Sequence, residues 1–103
     1  MLFLEWAASG GSRRFELRPG VHVVGRSPEA GVQVNDASLS RRHAEIRVEG
    51  DAVAVRDLDS HNGTFLNGEP VSGEARARAG DSLQCGEVVL VLRAGSAAAP
   101  GAA

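Results

Sequence analysis

Apolar residues recur at every second position through most of this chain, and that period decides what it can fold into. Ala44, Ile46 and Val48 alternate with Glu45, Arg47 and Glu49, and Phe15 and Leu17 alternate with Arg14, Glu16 and Arg18. Val53 and Val55 share one face of the segment that follows. Side chains of a β-strand point to its two faces in turn, so each such segment has one face on a core and one in water. No stretch sustains the 3.6-residue period of an amphipathic helix. Glu49-Gly50-Asp51 supplies hairpin chemistry between two of these segments. Leu83 and Cys85 lead through Gly86-Glu87 into Val88–Leu92, a second expected hairpin. Because Val88–Leu92 is apolar at every position, it is expected to be a central strand covered on both faces. Short segments separated by Gly, Pro, Asn and Asp predict an all-β sandwich or barrel.

A chain of 103 residues fits one domain with a core that needs no metal or disulfide staple. The formal net charge of −2 argues against a general nucleic-acid binder, whose affinity comes from a broad basic surface. No apolar run is long enough to cross a membrane as a helix, and Met1–Trp6 has neither the basic start nor the h-region of a signal peptide. A single cysteine, Cys85, cannot form an internal disulfide, so a cytoplasmic location is expected. All eleven basic residues are arginine, which with abundant Ala and Gly suggests a GC-rich coding sequence. The folded domain is expected over residues 1–93, followed at 94–103 by an Ala/Gly/Pro linker or tail.

The polar residues that could carry function fall in two loops. One holds Arg26 and then Ser40-Arg41-Arg42-His43, around a short Val32–Val34 strand; the other holds Ser60-His61-Asn62-Gly63-Thr64. Guanidinium, hydroxyl, imidazole and amide groups together are rich in hydrogen-bond donors, and that inventory suits an oxyanion. Arginine meets a phosphate with a planar fork of donors, and a hydroxyl and backbone N–H groups can complete the cradle.

Gly25-Arg26, Ser40-Arg41-Arg42-His43 and Asp57-Leu58-Asp59-Ser60-His61-Asn62-Gly63-Thr64-Phe65-Leu66-Asn67-Gly68 resemble, in order and spacing, the signature blocks of the forkhead-associated (FHA) domain family. The resemblance spans roughly residues 2–93. It implies a sandwich of two twisted sheets and about eleven strands, with the binding loops at one end. It also implies a phosphothreonine-dependent protein–protein interaction module in Ser/Thr kinase signalling, with a kinase or kinase substrate as partner and no cofactor. By the same resemblance Arg26 and Ser40 bind the phosphate, Arg41 adds a contact, and Asn62 bonds the ligand's peptide backbone. Gly25, His43, Gly63, Asn67 and Gly68 support the site. His61 stands where threonine is usual in the family. Its imidazole can donate to a phosphate oxygen, more strongly when protonated, so His61 is expected to favour binding as pH falls towards about 6.

Simpler readings apply to several of these residues. Arg42 faces either solvent or ligand. His22, His43, His61 and Cys85 match no zinc spacing. Ser60 beside His61 makes no triad, because no oriented base is indicated. Asp57 and Asp59 are expected to shape a loop, and Trp6 and Cys85 to lie in the core. An enzyme is therefore disfavoured, and the alternative is an FHA-like module that associates without phosphate. Thr64 is the only threonine and falls within the loop scaffold, so the ligand is expected from another chain or from another part of a longer protein.

Overall fold

Leu2, Leu4 and Trp6 are buried while the residues between them are half-exposed, so the first strand, β1 (Leu2–Ala8), already carries the two-residue period. This is a computed structural model, and it describes residues 2–8 and 10–95. β1 pairs antiparallel with β2 (Gly11–Leu17), whose Phe15 and Leu17 also face inward. The chain then crosses at Arg18-Pro19 into β3 (Gly20–Gly25), which pairs parallel with the two-residue β4 (Val32–Gln33) and antiparallel with β5 (Ala44–Glu49). β6 (Ala52–Asp57) follows the expected Gly50-Asp51 turn and pairs with both β5 and β9 (Glu74–Arg78).

The other sheet is completed by β7 (Thr64–Leu66), β8 (Glu69–Pro70), β10 (Ser82–Cys85) and β11 (Val88–Ala94). Its order is β2-β1-β11-β10-β7-β8, and that of its partner is β4-β3-β5-β6-β9. The molecule is therefore an all-β sandwich of eleven strands in two sheets, with no helix among the described residues. The inward side chains of the two sheets meet in one cluster that includes Leu4, Trp6, Val24, Ile46, Val55, Leu83, Leu90 and Leu92. Burying each such aliphatic side chain contributes about 1.5–3 kcal/mol of transfer free energy.

Two expectations are corrected. β11 is central in its sheet, between β1 and β10, but it is not covered on both faces. Leu90 and Leu92 are buried, whereas Val89 is 47% exposed, because the second face of this sheet has no layer on it. A run of apolar residues thus adopts the same inward–outward alternation as its mixed neighbours. The second correction is small: β11 continues through Ala94, one residue beyond the expected domain edge. The rest of the expected tail, 96–103, lies outside the described residues.

Outward faces are held by charge. Arg47 bridges Glu49 at 2.9 Å and Glu74 at 3.1 Å on one sheet, and Arg93 meets Glu5 at 2.7 Å on the other. Exposed pairs of this kind are worth about 0–1 kcal/mol each, so they decorate the sandwich more than they stabilise it.

Candidate functional site

All of the motif residues except one turn gather at one end of the sandwich, where β3, β4 and β6 end and β5 and β7 begin. Gly25 closes β3, and its position explains why the residue must be glycine. A Cβ there would overlap the carbonyl oxygen of Arg41, so the β3 end and the loop before β5 pass with nothing between them. The same contact is sealed by backbone bonds: Arg26 N–H donates to Ser40 O at 3.0 Å and Ser27 N–H to Arg41 O at 3.2 Å.

Arg26 is exposed, and its Nε–H donates to Leu39 O at 3.1 Å. That bond anchors the base of the guanidinium and leaves its terminal N–H groups without a partner among the described residues. Arg41 and Arg42 are exposed, and like Arg26 they form no ion pair among the described residues. The arginines Arg47, Arg56, Arg76 and Arg93, by contrast, are each paired to a glutamate on the sheet faces. Three exposed guanidinium groups without an ion pair among the described residues therefore stand at one end, on loops that also carry Glu29, Asp36, Asp57 and Asp59.

Ser40 joins the two loops. Its Oγ accepts the backbone N–H of His61 at 2.9 Å, so the hydroxyl proton remains available to a further acceptor. Asn62 is exposed and its Nδ2–H donates to Ser38 O at 2.8 Å, which fixes its side chain across the gap between the loops. His61 is also exposed, beside Ser40, and its ring makes no hydrogen bond among the described residues.

Behind these groups His43 is fully buried. Ser40 N–H donates to its Nδ1 at 3.0 Å, which leaves Nε2 to donate to Gly63 O at 2.8 Å. One imidazole therefore spans from the first loop to the second. Gly63 O also accepts Gly86 N–H at 3.2 Å, which ties the β10–β11 turn to the same point. The second loop has its own brace. Asp57 accepts the N–H and hydroxyl of Ser60 and the hydroxyl of Thr64, while Ser60 Oγ accepts Gly63 N–H at 3.0 Å. Burial opposes the charge on Asp57, but the bonds donated by Ser60 and Thr64 outweigh it and hold its pKa below the usual carboxylate value. Thr64, 2% exposed, is thus committed to the scaffold.

The turn set apart is Asn67-Gly68. Both residues have positive φ, 50° and 88°, the signature of a type I′ hairpin between β7 and β8. It lies at the far end of β7 from Thr64, where Asn67 Oδ1 accepts Ser82 N–H at 3.0 Å. Its support of the site is indirect, through the placement of β7. Sequence reasoning missed Ser38 and Asp36. Ser38 donates its N–H and hydroxyl to Asp36 Oδ1 at 2.9 and 2.7 Å, and its Oγ accepts Glu87 N–H at 2.9 Å. The Asp-x-Ser spacing of an Asx-turn was the available signal. Among the described residues no group of three or more His, Cys, Asp or Glu is placed to hold a metal.

The model of the FHA domain family matches residues 22–86. The glycogen accumulation regulator GarA of Mycolicibacterium smegmatis is 39% identical over 95 residues, 92% of this chain and 59% of GarA. The FHA domain-containing protein FhaA of Mycobacterium tuberculosis is 37% identical over 84 residues, 82% of this chain and 16% of FhaA. The chain thus spans only part of the length of either relative. A domain solved in a study of phosphothreonine-dependent FHA domain interactions superposes with a TM-score of 0.82 at 34% identity, covering 92% of this chain and 97% of that one. With the signature residues converging on one end of an eleven-stranded sandwich, the chain belongs to the FHA domain family.

Proposed function

We propose that this chain is a phosphothreonine-dependent interaction module of Ser/Thr kinase signalling, and that it catalyses nothing itself. The observation that carries the reading is the bond from His61 N–H to Ser40 Oγ. It ties the loop of Ser40 to the loop of His61 and Asn62, and Arg26 N–H donates to Ser40 O at 3.0 Å, which supports a shared role for these residues. A phosphate brings about −1.5 to −2 charge at neutral pH. Arg26 meets it with its terminal N–H groups, Ser40 with its hydroxyl, and Arg41 with a further charge. His61, exposed next to Ser40, adds an imidazole donor. Asn62 holds the backbone of the bound segment, and Gly25, His43, Gly63, Asn67 and Gly68 keep the loops and strands in place. The partner is a phosphothreonine-bearing protein, a kinase or kinase substrate, and the setting is cytoplasmic. GarA is a regulator by name, which suits a reader of phosphorylation more than a catalyst.

Calorimetric titration of one peptide sequence in phosphothreonine, phosphoserine and unmodified forms tests this. Only the phosphothreonine form should bind tightly, and Arg26→Ala should cost about 2–5 kcal/mol, the scale for removing one partner of a desolvated charge pair. Equal binding of the unmodified peptide would replace the proposal with phosphate-independent association. The His61 contact is checked in the same titrations, repeated from pH 8 to 6: His61→Thr should lose the part of the affinity that rises as pH falls. Identical profiles would remove His61 from the phosphate contacts.

A further inference from the structure

The loop that carries Ser40 has a second exposed side. Residues 34–36 of that loop, the β1–β2 hairpin and the start of β11 enclose a cavity of about 670 Å³ at the open flank of the sandwich. Its floor is apolar: Trp6 and Val34 are 8% and 3% exposed, and Val88 packs against the core. Its rim is charged. Arg13 pairs with Trp6 across β1 and β2, two residues before the inward-facing Phe15, so its position in the strand directs it to the cavity side.

Arg13 has no carboxylate partner among the described residues. Its neighbour Arg14 is occupied, 3.8 Å from Glu5 and with its guanidinium 4.4 Å from the centre of the Phe3 ring. Asp36, on the facing wall, already accepts two bonds from Ser38. The lining thus carries Arg13 and Arg14 against the single carboxylate of Asp36, and Arg13 is the cation without a partner, above an aromatic and aliphatic floor. An acidic side chain would present a carboxylate to Arg13 and lay its methylenes on Trp6.

The cavity is close to the phosphate end. Asp36 and Ser40 are four residues apart, so their Cα atoms are at most about 15 Å from each other. Leu39 N–H donates to Asp36 O at 3.1 Å, so the loop turns between them and the distance is shorter still. An extended ligand advancing about 3.3 Å per residue covers that span in roughly five residues. The wall is also mechanically joined to the site, since Ser38 binds Asp36 on one side and accepts the Asn62 side chain on the other.

We propose that this cavity is a second subsite, which takes an Asp or Glu side chain of the partner a few residues from its phosphothreonine and pairs it with Arg13. The inference rests on the phosphothreonine reading above. It is tested with phosphothreonine peptides carrying about eight residues on either side, long enough to reach the cavity in both directions. Glu, Gln or Lys is walked through each flanking position, and a trimmed peptide with about two flanking residues serves as reference. Affinity and the emission of Trp6, the only tryptophan, are recorded together.

At one flanking position Glu should bind at least about fivefold tighter than Gln, a difference near 1 kcal/mol. That peptide should shift Trp6 emission where the trimmed peptide does not. In Arg13→Glu the preference should vanish or pass to Lys, while the trimmed peptide binds as it does to the unmodified protein, which also reports that the variant is folded. A flat scan, or a Glu preference that survives Arg13→Glu, overturns the subsite and leaves the phosphothreonine reading intact. A trimmed peptide that binds equally well without its phosphate, or is unaffected by Arg26→Ala, overturns the parent reading and the subsite with it.

Discussion

Single side chains in this site do two jobs at once. Ser40 closes the gap to the second loop with its oxygen while its proton stays free to donate, and His43 uses both ring nitrogens to hold that gap from behind. Asp57 shows how much the second loop depends on one charge held by neighbouring hydroxyls. Its folded-state pKa lies below the ordinary carboxylate value, through the bonds from Ser60 and Thr64 and against the effect of burial. A depressed carboxylate pKa stabilises the fold fully above the unfolded value of about 4, and the contribution fades as pH falls through the folded value. Asp57→Asn should therefore cost about 1–3 kcal/mol at pH 7. The difference from the unmodified protein should shrink as pH drops below about 4, measured by denaturant unfolding at each pH. At this scale Arg26, Ser40, Asn62 and His43 were legible because each sits in a recognisable block. For Ser38 and Asp36 only the Asx-turn was legible in the Asp-x-Ser spacing, since nothing local shows that the same serine binds a turn forty-nine residues away at Glu87.

Elements place these side chains, and two glycines separate placement from stability. Gly25 is needed because β3 ends against the Arg41 carbonyl. Gly68 is needed because its φ of 88° suits the β7–β8 turn, far from the loops. Gly25→Ala should destabilise by about 1–3 kcal/mol or more through overpacking, and should also weaken phosphopeptide binding by pushing Arg41 and Ser40 out of register. Gly68→Ala should cost about 1–2 kcal/mol for a left-handed backbone and, because its support of the site is indirect, weaken affinity far less than Gly25→Ala does. Thermal unfolding and peptide titration on the same two variants check the contrast. The hairpins at Gly50-Asp51 and Gly86-Glu87 were readable because turn chemistry is local. The environment of Val88–Leu92 was not, because an apolar run looks the same whether one face or both are covered. What decides it is that β1 and β10 flank the strand while no layer covers Val89.

In the whole molecule the sheets share one core, and Cys85 reports on it. The thiol is fully buried beneath the β10–β11 turn, and burial, with Asp57 nearby, pushes its pKa up to about 12. At pH 8 the folded protein should therefore resist a thiol-specific disulfide reagent, and labelling across a denaturant series should track global unfolding. Labelling faster than unfolding would mean that the β10–β11 turn opens on its own. The strand alternation of Ala44–Glu49 and the signature from Gly25 to Gly68 were set by the sequence alone, since periodicity and turn preference are properties of neighbouring residues. The tertiary structure alone decided which strands became neighbours, that Val89 meets water, and that Arg13 of β2 lines one cavity with Val34 and Asp36 of the loop before Ser40. Those outcomes depend on contacts between residues far apart in the chain, and each is set by the surface an element meets, which its own residues do not encode.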